Sequence, residues 1–153
     1  MLILPETSVS DSPESTFEIG RLVGSYIGPG DTVLLTGGLG AGKTLLTKGI
    51  VDSLGFDIDE VTSPSFTLVN LYRASNIDIY HIDLWRLDEK SDGAFAVGLD
   101  EIAEDQNHIV IIEWSERLGD FRFRGKVLRI AIEGDGDVPR TVTIHIEKPP
   151  DAE

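Results

Sequence analysis

An α/β fold is predicted by three features of the chain. Two short apolar runs, TVLLT (32–36) and IVIIEW (109–114), read as buried strands. The first feeds at once into a helical pattern at 43–54. Two alternating segments near the C-terminus, VLRIAIE and TVTIHIE, read as an antiparallel pair.

The elements follow in order. Residues 12–27 place Phe17, Leu22, Val23 and Tyr26 near helical spacing after a serine–proline start signal, which predicts an amphipathic helix. GPGD (28–31) is a turn, and TVLLT is bounded by glycine on its far side. KTLLTKGIVDSL (43–54) is a helix stopped at Gly55, where a left-handed residue is wanted. TLVNLY (67–72) and IDIYHID (77–83), separated by RASN, read as a hairpin. Residues 88–106 are acidic and helical in pieces. GDGDVP turns the chain between the closing strands at 127–133 and 141–147.

Composition bounds the function. At 153 residues the chain is one domain, read as 1–148 with a short flexible tail at 149–153. It has no cysteine, so disulfides and thiolate metal sites are excluded. No apolar run approaches the roughly 20 residues of a membrane span, and the N-terminus lacks a secretory pattern, so a cytoplasmic protein is expected. The net charge of −14 repels nucleic-acid phosphates. The one dense basic stretch, FRFRGKVLR (121–129), carries four of 13 basic residues and reads as strand residues on a solvated face.

Gly37, Gly38, Leu39, Gly40, Ala41, Gly42, Lys43 and Thr44 fit G-x-x-x-x-G-K-[ST], between a buried strand and a helix. Glycines let several backbone N–H groups converge on one anion, and the helix start adds its positive dipole end. Lys43 is placed to reach the β- and γ-phosphates, and the Thr44 hydroxyl to ligate Mg²⁺. The fold expected is then a P-loop NTPase-like three-layer sandwich with a mixed, mainly parallel sheet plus antiparallel strands. ATP/ADP and Mg²⁺ are the expected cofactors.

Such a site needs a carboxylate at another strand's end. Glu113, after IVII, is the better Mg²⁺ partner, and Asp83, after IYHI, could orient the attacking water from an added strand or share the metal. His81 shares a strand face with Asp83 and reads as a structural histidine. Arg86 is a phosphate clamp or a surface residue. Thr62, Ser63 and Ser65 fall where a γ-phosphate-sensing loop would lie, although serine and proline also make ordinary turns. TKGI (47–50) lacks the aspartate of a guanine signature, so ATP is favoured over GTP.

GGLGAGKT, SPSFTLVNLY, YHIDLWRL, GLDE and IIEW, in this order, closely resemble the TsaE (formerly YjeE) family over about residues 12–147. The resemblance implies a P-loop ATPase of tRNA threonylcarbamoyladenosine biosynthesis, weak alone and partner-dependent. Its partners would be the TsaD and TsaB proteins, and tRNA indirectly through their transferase complex. It assigns Lys43 to phosphate, Thr44 and Glu113 to the metal, Asp83 to turnover, and Arg140 to the neighbourhood of the nucleotide; Trp114 matches the motif without an assigned role. Gly38 stands where the family usually has Asp, Ser65 where it has Thr, and Trp85 where it has Tyr. A small-molecule kinase and a nucleotide-gated interaction module with little hydrolysis are the alternatives. No lid segment is evident for a kinase.

Overall fold

The computed structural model describes residues 3–38, 40–64, 67–87 and 92–149. Leu39 of the glycine loop, Ser65, the start of the acidic stretch at 88–91 and tail residues 150–153 lie outside the described residues. The elements are β1 (Thr7–Ser10), α1 (Pro13–Tyr26), β2 (Thr32–Thr36), α2 (Lys43–Ser53), β3 (Val69–Arg73), β4 (Asp78–Asp83), α3 (Gly93–Ala96), α4 (Leu99–Glu104), β5 (His108–Glu113), β6 (Val127–Glu133) and β7 (Arg140–Glu147).

All strands join one sheet in the order β1-β7-β6-β2-β5-β4-β3. Its centre, β6-β2-β5-β4, is parallel. The edges are antiparallel: β3 on β4, and β1 and β7 beside β6. Strand β4 is therefore a full member of the parallel centre, and its carboxyl end lies on the same edge as those of β2 and β5.

Alternation along the strands divides the core into two. Val33, Leu35, Ile79, Ile109, Ile111 and Leu128 face α1 and α2, where they meet Val23, Leu46 and Ile50. Leu34, Ile82, Val110, Ile112 and Val127 face the opposite way, toward Ala94 of α3 and Leu99 of α4. The result is three layers, helices–sheet–helices. Strands β2 and β5 are buried on both faces, which is why they lack polar alternation.

Helix α1 begins at its proline, with the Ser12 side chain accepting from the Ser15 N–H at 3.0 Å. Helices α1 and α2 touch backbone to backbone at Gly20 and Gly49; a Cβ on Gly49 would lie 2.1 Å from the Phe17 carbonyl oxygen. The acidic stretch is helical in two pieces because Gly98, at φ +69, turns the chain between α3 and α4.

Strand β1 was not anticipated. Four residues, TSVS, carry no apolar pattern, and tertiary pairing alone makes them a strand: Thr7 lies opposite Thr143 and Ser10 opposite Arg140. Among the described residues no helix is long and apolar enough to cross a membrane.

Candidate functional site

The glycine loop leaves β2 at Thr36 and enters α2 at Lys43. Gly37, Gly40 and Gly42 all have positive φ, and a Cβ on Gly37 would lie 2.6 Å from the Ile132 carbonyl oxygen. Neither constraint applies at Gly38, where there is open space for a side chain. Helix α2 has no side-chain cap at its start, so its first N–H groups point out of the helix toward the loop's concavity.

Lys43 is 6% exposed. Its ammonium donates to the carbonyl oxygens of Gly37 (2.5 Å) and Gly38 (2.9 Å) and lies 4.2 Å from the centre of the Trp114 ring. Burial holds its pKa below the ordinary lysine value, although the charges of Glu113, Glu116 and Asp83 pull the other way.

The acids come from the neighbouring strand ends. Glu113 lies opposite Leu35 of β2 on one side and Asp83 of β4 on the other. Strand parity aims both carboxylates at the α2 side of the sheet. The Thr44 hydroxyl donates to Glu113 (3.2 Å to Oε1), and Ser63 donates to Asp83 Oδ2 at 3.2 Å. The Trp85 N–H donates to Asp83 Oδ1 at 2.9 Å. Asp83 is 5% exposed, and its burial, reinforced by the charge of Glu113, raises its pKa above the ordinary carboxylate value despite those two donors.

These groups line a cleft of about 330 Å³ between the glycine loop and the strand ends. Trp114 and Trp85 form its wall, with ring centres 5.0 Å apart and the Arg117 guanidinium 4.8 Å from the Trp114 ring. Trp114 holds φ +57, an unusual backbone for a bulky residue, costing about 1–3 kcal/mol. That turn lays its indole under the Lys43 ammonium.

A second cleft, of about 440 Å³, opens on the other side of the loop, between Ser10–Thr16, Leu45 and the β6–β7 turn. Arg140 ties it together by donating to the carbonyls of Ala41 (3.1 Å), Gly40 (3.1 Å) and Gly136 (3.3 Å).

Other expected residues line neither cleft. Arg86 is exposed and lines neither cleft. Thr47 is buried in α2 against the Lys43 carbonyl, and Gly49 packs on α1, so TKGI is structural. In the basic stretch, Arg129 pairs with Glu147 and Lys126 with Asp31, on ordinary surface. Thr62 supplies a carbonyl to Tyr72 and Asn70 rather than a group to the cleft.

His81, which the sequence reads as a structural histidine, has its partners within the site. It is fully buried, with Nε2 2.5 Å from Glu113 Oε2 and Nδ1 2.8 Å from the Tyr72 hydroxyl. The spacing H-x-D was the available signal, since it puts His81 on the face of both acids.

The donor set suits a hard cation: a hydroxyl and two carboxylates, with no sulfur. Among the described residues no cluster of three or more His, Cys, Asp or Glu forms a cage for a metal. Mg²⁺ takes one or two carboxylates and completes its shell with phosphates and water, and Thr44 and Glu113 are the residues that would hold it.

The family model for "Threonylcarbamoyl adenosine biosynthesis protein TsaE" matches residues 10–142. A Bacillus subtilis tRNA threonylcarbamoyladenosine biosynthesis protein TsaE is 35% identical over 132 residues, 86% of this chain and 80% of its own. The protein of the same name from a Nostoc species is 41% identical over 69% of this chain and 65% of its own length, so that match spans less than two thirds of the Nostoc relative. The one from Treponema pallidum is 38% identical over 72% and 78%. In three dimensions, the crystal structure of Bacillus subtilis YdiB matches with a TM-score of 0.68 and 31% identity, covering 90% of this chain and 82% of that one.

Proposed function

From a chain that belongs to the TsaE family, we propose a Mg²⁺-dependent ATPase that supports threonylcarbamoylation of adenosine 37 in tRNAs reading codons beginning with A. The observation carrying this reading is one juxtaposition. Lys43 and Thr44, at the uncapped start of α2, face Glu113 and Asp83, which sit side by side at the ends of β5 and β4.

The roles follow from the contacts. The loop amides and the Lys43 ammonium would bind the β- and γ-phosphates, Lys43 exchanging two carbonyl oxygens for phosphate oxygens. Thr44 and Glu113 would hold Mg²⁺, which when bound neutralises charge on the phosphate oxygens. Asp83 is off the loop, buried and made more basic by that burial. It suits a group that orients water toward the γ-phosphorus and takes up its proton. The second cleft, between Arg140 and Ser10–Thr16, is the space left for the nucleoside.

The partners we assign are TsaD and TsaB, with tRNA reached through their complex. The charge of −14 supports that arrangement, because such a surface does not grip a polyanion alone. A kinase is disfavoured, since residues 92–106, in the layer beyond the site, carry no lysine or arginine to close over phosphates.

Asp83→Ala is expected to keep ATP binding and lose turnover, measured as phosphate released alone and with the transferase complex. Hydrolysis at the parent rate would remove Asp83 from the mechanism. Phosphate release that stays absent even with the complex would favour a nucleotide-gated binding module instead. Both tryptophans of the chain wall the cleft, so intrinsic fluorescence reports binding directly.

A further inference from the structure

We propose that His81 is a positioning residue for Glu113, and that Tyr72 holds the His81 ring in the place from which it acts. His81 is fully buried, so its ring cannot turn to water for a partner, and Glu113 is 2% exposed, at the wall of the cleft. An ionised carboxylate only accepts hydrogen bonds, so the 2.5 Å contact from His81 Nε2 to Glu113 Oε2 requires a proton on Nε2. The ring's other nitrogen, Nδ1, lies 2.8 Å from the Tyr72 hydroxyl, which holds the imidazole from its far side.

The rest of the network agrees. The Tyr72 hydroxyl donates to the Thr62 carbonyl at 3.0 Å, and that carbonyl also receives the Asn70 side-chain N–H at 3.1 Å. Tyr72 is itself fixed, 4% exposed and stacked on Phe56 at 4.7 Å. His81 is therefore held between Tyr72 on one side and Glu113 on the other.

The consequence falls on the carboxylate. With Oε2 taken by His81, Oε1 is turned to the Thr44 hydroxyl at 3.2 Å. Thr44 gives its proton to Glu113, which leaves its oxygen lone pairs directed elsewhere, available to a cation. Resting on the nucleotide–Mg²⁺ reading above, His81 thus fixes the carboxylate rotamer from behind, as outer partners of metal ligands do. It touches neither nucleotide nor water.

The test uses the full chain, ADP as ligand, tryptophan fluorescence as readout, and titrations in EDTA and across Mg²⁺ concentrations. His81→Leu is expected to bind ADP in EDTA within about twofold of the parent. It should need about 10–100-fold more Mg²⁺ for the metal-dependent gain in affinity. His81→Gln, whose amide N–H can stand in for Nε2–H, is expected to recover most of that loss, and Tyr72→Phe to lie between.

An unchanged Mg²⁺ requirement in His81→Leu would overturn the proposal. So would a glutamine variant as impaired as the leucine one, since the residue would then be packing only. Nitrogen NMR of the ligand-free parent is an independent arm. A proton on Nε2 supports the contact to Glu113; an Nε2 without a proton contradicts it. That arm decides even if His81→Leu fails to fold. Should the parent bind no ADP under any condition, the nucleotide reading fails, and the NMR arm still judges the contact of His81 with Glu113.

Discussion

Lys43 is a charge kept out of water by two backbone carbonyls and one indole face. Charged hydrogen bonds are worth about 1.5–3 kcal/mol, so Lys43→Ala should weaken ADP binding about 10–100-fold, read by fluorescence titration. Unchanged affinity would argue against the cradle. Asp83 makes the opposite kind of prediction. Burial raises its pKa, so between the ordinary carboxylate value and the raised one the folded chain binds more protons than the unfolded chain. The ligand-free protein therefore loses stability as pH rises through that window, and the penalty persists at neutral pH. Asp83→Asn should remove this component: urea midpoints measured from pH 4 to 8 are expected to fall less with pH than the parent's. Lys43, Thr44, Asp83 and Glu113 were legible because the loop motif and apolar-run-then-acid patterns are local. The seat of Trp114 under Lys43 was not, because it depends on a left-handed backbone no spacing reveals. Nor was the role of His81, whose partners Tyr72 and Glu113 come from two other strands.

Helices α1 and α2 carry the loop's position. Gly20 and Gly49 allow their backbones to meet, and α2 begins with the phosphate lysine. Gly49→Ala improves helix propensity by about 1 kcal/mol, but its methyl would strike the Phe17 carbonyl, and overpacking costs about 1–3 kcal/mol. With backbone rather than a pliable side chain in the way, the clash should win: a lower urea midpoint, and weaker ADP binding as α2 shifts. A variant more stable than the parent would show that the helices part freely. Sequence periodicity revealed both helices but not this contact, since a glycine inside a helix pattern looks merely unfavourable. It revealed β2, β5, β6 and β7 through their apolar patterns, and the hairpin through its spacing. It missed β1, whose three polar residues and one valine become a strand only because β7 offers them an edge.

Across the whole molecule, one row of register makes the site. Leu35, Glu113 and Asp83 lie abreast on β2, β5 and β4, so the parallel centre brings the loop and both acids to one edge. The hairpin was legible, but the parallel seat of β4 beside β5 was not, because pairing partners of a strand are set by the whole sheet. The acidic surface leads to a further expectation: the chain alone should not retain tRNA at physiological salt in a filter or mobility assay. Retention that weakens steeply with salt would expose a basic face absent from this account. The central claim is tested most directly by a co-crystal with a non-hydrolysable ATP analogue and Mn²⁺ in place of Mg²⁺, read by the metal's anomalous signal. The expected result is a peak between Thr44 Oγ1 and Glu113, with the phosphates on the loop amides and the Lys43 ammonium turned from the Gly37 and Gly38 carbonyls onto them. A metal bound elsewhere, or an analogue seated away from the loop with Lys43 still on those carbonyls, would contradict it.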